Sequence, residues 1–91
     1  MPHSHSHTQT QAVLNRLAKI KGHVEAIQKM VQAERSCPEV IVQIVAVRSA
    51  LNKVAKILLK DHAEHCLVDA AEQGDFESEL ESFRKALDLI I

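Results

Sequence analysis

The sequence predicts an all-α fold: a three-helix protomer with a long central helix, packed with further copies into a helical bundle. Three observations carry this expectation. Apolar residues make up 46% of the 91 residues, and they recur at steps of three and four, the period of an amphipathic helix. The chain has only two glycines and two prolines, too few turn formers for a fold of many short strands. Between Pro38 and Gly74 nothing interrupts a helix.

Residues 1–9 read as a flexible, His-rich tail, and residues 10–91 as one domain. The first helix is expected from Thr10 to about Glu34, capped by Thr8 or Thr10, with Val13, Leu17, Ile20, Val24, Ile27 and Val31 on one face. Gly22 inside it marks either close packing or a tolerated weak point. Ser36 with Glu39 has the spacing of a capping box, and Pro38 suits a first helical turn. The second helix then runs from about Pro38 to Gln73, carrying the stripe Val40, Ile44, Val47, Leu51, Val54 and Leu58. Gly74 stands where a helix stops. Asp75 caps a third helix, Phe76 to about Leu89, with Phe76, Leu80, Phe83, Leu87 and Ile90 on one face. A middle helix of this length spans roughly 54 Å. One shorter partner cannot cover it, so self-association is expected.

Composition narrows the function. With two phenylalanines, no Trp and no Tyr, an aromatic platform for single-stranded nucleic acid is excluded. No apolar run reaches the roughly 18 residues of a membrane span. The polar N-terminus is unlike a signal peptide, so a cytoplasmic location is expected. Two cysteines in such a chain read as ligands or reactive thiols. The sequence has no Gly-rich phosphate loop, nucleophile elbow or paired catalytic carboxylates, and Cys37 with His62 lacks a third orienting group. An enzyme is therefore not expected.

Charge is divided. Residues 1–60 hold nine Lys/Arg against three acids, and residues 61–91 hold two against nine. The excess of Arg16, Lys19, Lys21, Lys29, Arg35, Arg48, Lys53, Lys56 and Lys60 over two helices suits a phosphate-binding surface. Without a zinc finger or an evident helix-turn-helix, such a surface would read DNA through phosphates and shape.

His62 and Cys66, four apart, share one helix face, a half-site for Cu(I), Zn(II) or Ni(II). Cys37 lies 25 residues before His62, about 38 Å along one helix, so the two cannot meet within a chain. Two such helices packed antiparallel would cross near Ala50 and Leu51. Cys37 of one copy would then lie beside His62 and Cys66 of the other. His3, His5 and His7 on the tail could add a nitrogen ligand. His65 and His23 read as surface or packing residues.

Cys37, the segment from Val42 to Leu51, Asp61-His62-Ala63-Glu64-His65-Cys66, and Leu14-Asn15-Arg16-Leu17 through Gly22-His23 resemble the CsoR/RcnR family of bacterial metal-responsive repressors. The resemblance covers residues from about 12 to 90. It implies a three-helix protomer in a tetramer, a dimer of dimers, whose apo form binds double-stranded operator DNA and is released by its effector. Family DNA-contact positions correspond to Arg16 and Lys53, with Lys19 and Lys21 as neighbours. Copper sensors of the family use the set carried here by Cys37, His62 and Cys66. They also have a Tyr before the first Cys and a Glu on the third helix, where this chain has Ser36 and Ser82. Nickel and cobalt branches add an N-terminal His, matched by His5. The resemblance therefore implies a repressor released by Ni(II) at an intersubunit site of His5, Cys37, His62 and Cys66. Cu(I), Co(II) or Zn(II) are alternative ions. A formaldehyde-responsive repressor using Pro2 and Cys37, and a metal-buffering oligomer that never touches DNA, are the other readings.

Overall fold

A computed structural model of the protein describes residues 9–90. It consists of α1 (Thr10–Gln32), α2 (Cys37–Gln73) and α3 (Phe76–Ile90). The three helices and the long central element agree with the sequence. Boundaries move by one or two residues, as fraying ends allow.

The helix ends show how the sequence sets the turns. Ser36 caps α2: its Oγ accepts the Glu39 N–H at 3.4 Å and its hydroxyl donates to Glu39 Oε1 at 2.9 Å. Such a cap is worth about 1 kcal/mol. Arg35 pairs with the same carboxylate. Arg35 first, and Ser36 after it, hold the Glu39 carboxyl below the usual carboxylate range. Gly74, at φ 83°, ends α2 in the left-handed conformation, and Asp75 N–H reaches Ala70 O at 2.7 Å.

Two local expectations are corrected. The N-cap of α1 is Gln9, without a side-chain cap bond; Thr10 is already the first helical residue, and Thr8 lies outside the described residues. At the other end of α1, Glu34 takes φ 56° where glycine would be the easier residue. The turn holds it: Arg35 N–H donates to Met30 O and Glu34 N–H to Val31 O, both at 3.0 Å. Gly22 has open space where a Cβ would stand, so it is the tolerated weak point and not a close approach.

Val13 and Ile20 of α1 pack against Val47 and Val54 of α2, with Ile27, Ala50 and Ile57 around them. Both series advance by seven residues, the seam of two packed helices. The next member of the α2 series is Asp61, a carboxylate only 3% exposed. α3 packs on α2 alone; among the described residues it does not meet α1. The protomer measures 55 × 25 × 14 Å, hardly thicker than one helix with its side chains. A single layer leaves one apolar face uncovered. Ile44, Leu51 and Leu58, again seven apart, are 46%, 45% and 41% exposed. No helix of the described residues is long and apolar enough to cross a membrane.

Candidate functional site

Two features are built on the α1–α2 hairpin. The first is a group of metal-ligating side chains at the end of its core. Asp61, Glu64 and His65 stand at i, i+3 and i+4 on α2, hence on one face. One ligand atom from each lies within 4.8 Å of the others. His65 Nδ1 donates to Asp61 O at 2.8 Å and lies 2.9 Å from Asp61 Oδ1. That backbone acceptor is the main reason the imidazole keeps its proton above its ordinary range; the charges of Asp61 and Glu64 act the same way, and desolvation opposes them. Gln9, at the start of α1, lines one recess with Asp61, Glu64, Lys60 and Ile57.

Of the residues expected to form the metal site, Cys37 lies far from His62 and Cys66 within the chain, as their spacing on one helix requires. Cys37 is the first residue of α2 and exposed. Cys66 lies 29 residues further along the same helix, about 44 Å away. It faces a recess shared with His62 and Glu79. Burial, then the charges of Glu79, Asp69 and Asp61, push its thiol up, away from the thiolate that binds metals. His62 is engaged with α3: its Nε2 is 2.9 Å from Glu79 Oε1. His5 and Pro2 lie outside the described residues, as do His3 and His7.

The expectation of Ni(II)-driven release at an intersubunit Cys/His site is therefore corrected. Among the described residues, the donors that converge are Asp61, Glu64 and His65, with no cysteine among them. The cause is register: the i, i+3, i+4 face carries carboxylates and one imidazole, while His62 and Cys66 turn toward α3. The copper alternative used the same Cys37, His62 and Cys66. The sequence contains the signal, since Asp61, Glu64 and His65 lie in one short segment at i, i+3 and i+4 beside the softer donors His62 and Cys66. The sequence, with Ser82 matched to the family's third-helix Glu position, left His62 without a carboxylate from α3. Glu79, one turn earlier, meets His62, and both line a cavity of about 800 Å³ with Ser82 and Phe83.

The second feature is a basic face. Arg16 and Lys19 of α1 border a recess with Asn15, His23 and Ala50 of α2. Lys53 stands one turn beyond Ala50. Lys21 is placed differently: at about 100° per residue it lies about 160° round α1 from Lys19, on the flank of the exposed Leu14, Leu17 and Val24.

The sequence pattern of the family described as "Metal-sensitive transcriptional repressor" matches residues 9–90. The copper-sensing transcriptional repressor CsoR of Bacillus subtilis (strain 168) is 49% identical over 65 residues, 71% of this chain. The matched segment spans 64% of that relative, less than two thirds of its length. Among solved structures, the nickel-responsive transcriptional regulator InrS is 44% identical, with a TM-score of 0.76, covering 98% of this chain and 100% of that one. The copper-sensing repressor CsoR with Cu(I) from Geobacillus thermodenitrificans NG80-2 is 32% identical, with a TM-score of 0.83, covering 98% and 91%.

Proposed function

Because the chain belongs to the CsoR/RcnR family of metal-sensitive transcriptional repressors, whose members are repressors and not enzymes, we propose that it is a cytoplasmic, metal-sensing repressor. It acts as a homotetramer, a dimer of dimers, that holds double-stranded DNA on the face of Arg16, Lys19 and Lys53. Lys21 lies on the opposite flank of α1, away from that face. The observation that carries this reading is the family match over residues 9–90, joined to a basic recess on the α1–α2 hairpin.

The metal is assigned to Asp61, Glu64 and His65. Two carboxylates and an imidazole are harder donors than thiolates, and suit Ni(II), Co(II) or Zn(II) better than Cu(I). The likeness to a nickel-responsive regulator over the whole chain makes Ni(II) the first ion to test. A divalent ion held there supplies positive charge beside the start of α1. In its absence Asp61 and Glu64 put negative charge at that end, where it complements the positive pole of the α1 dipole by about 0.3–1 kcal/mol. Two turns further on, α1 carries Arg16 and Lys19. A coupling of about 1–3 kcal/mol between ion and DNA is ordinary for such linked sites.

Ni(II) titration of the reduced protein, followed by calorimetry, tests the assignment. Glu64→Gln and His65→Gln are expected to weaken binding by at least the roughly tenfold that even a lost contact to a ligand costs. Because the His65 proton must leave and is held above its usual range, wild-type affinity should fall as the solution is made acidic. Unchanged affinity in both variants, with loss in Cys66→Ala and thiolate charge-transfer bands in the wild type, would overturn it.

A further inference from the structure

His23 lies in the recess of about 430 Å³ that Arg16, Lys19 and Asn15 border, and its ring is tied across the hairpin. Nε2 is 2.7 Å from Gln43 Oε1, in a half-buried position. A carboxamide oxygen only accepts, so Nε2 carries the proton of that bond. The tie fixes the tautomer and leaves Nδ1 as the ring's second polar atom. On a neutral ring with Nε2 protonated, Nδ1 is a lone pair, which repels a phosphate oxygen. On the charged ring it is a donor, of the charge-assisted kind that phosphates take best.

We propose that His23 is a DNA-phosphate contact of this protein, oriented by Gln43, which engages the backbone through Nδ1–H in the imidazolium form. The inference rests on the DNA-binding reading above and adds a residue and a proton to it. The charged groups in the recess are Arg16 and Lys19 from α1. α2, the other element packed there, contributes Ala50 to the lining and Gln43 to the bond, neither of them charged. Among the described residues, no carboxylate lines the recess to hold the extra charge in place of DNA. A phosphate drawn in by Arg16 and Lys19 is the anion that favours the charged ring. DNA binding therefore takes up a proton at each His23 that touches the duplex. Affinity rises as pH falls through the range in which histidine gains its charge.

The test is fluorescence anisotropy with a short labelled duplex, read at about pH 6 and about pH 8 across the span of roughly 50–200 mM salt in which phosphate contacts declare themselves. Wild type is expected to bind about tenfold more tightly at the lower pH for each ring engaged. Its logarithmic salt slope should steepen there by about 0.9 per ring. His23→Gln, which can still bond Gln43, should lose that pH difference and bind as wild type does at the higher pH. His23→Lys should bind tightly at both. A purely structural role for His23 would move neither the pH difference nor the slope. The proposal is overturned if His23→Gln keeps the wild-type pH difference, or if wild type binds the duplex with no pH difference at all. A wild-type protein that binds no duplex under any of these conditions would instead remove the DNA-binding reading itself.

Discussion

Arg16→Ala is expected to weaken DNA binding at least about tenfold at low salt, and to lower the logarithmic salt slope by about 0.9 for every protomer that touches the duplex. Arg16 stands exposed at the rim of the recess with Lys19, Asn15 and His23, outside the α1–α2 core of Val13, Ile20, Val47 and Val54. Circular dichroism should therefore be unchanged while affinity drops. The acids of residues 1–60 do little to cancel this face, since one of the three, Glu39, is already paired with Arg35 beyond the far end of α1. Symmetry enlarges the effect, because one substitution removes the contact from each copy on the DNA. Lys21→Ala is the internal comparison. Placed on the opposite flank of α1, it should cost clearly less; an equal loss would show that the DNA face has been drawn on the wrong side.

Leu51→Glu should break the assembly. Leu51 sits at the centre of the exposed series Ile44, Leu51, Leu58 on a slab 14 Å thick. Covering a leucine of this kind contributes about 1.5–3 kcal/mol, and a two-fold interface counts it twice. An unpaired carboxylate at the same place costs several kcal/mol more. Light scattering should report monomers, with reduced helix content because few side chains of the lone protomer are buried. Retention of the wild-type mass would mean that another face holds the copies together. The substitution lies at the position where two antiparallel central helices were expected to cross.

The fold was legible because its signals are local. Apolar spacing placed three helices, and Ser36 with Glu39 and then Gly74 marked where the long one begins and ends. Glu34 could not be foreseen, since its left-handed conformation comes from the hydrogen bonds of the turn and not from its residue type. Asp61 was hidden for a related reason. It continues the series Val47, Val54 into the core seam, where a search for apolar periodicity registers only a break. The donor group was half legible. The residues stood in one segment, but which of them converge depends on helix register and on where α3 comes to rest. That docking brings Glu79 to His62, one turn from Ser82, and turns Cys66 toward acids that discourage its thiolate. The excess of positive charge in the first two helices was plain in the sequence. Its division into Arg16 and Lys19 on one flank of α1 and Lys21 on the other required the packing of α1 on α2.

The most direct test of the account is to form the complex of the metal-free, reduced protein with a duplex selected for binding, and to titrate Ni(II) while following anisotropy. The account predicts release as the sites fill, with DNA affinity lowered by about 5–150-fold, and no release in Glu64→Gln at the same ion concentration. Saturation with Ni(II) that leaves DNA affinity unchanged would contradict it.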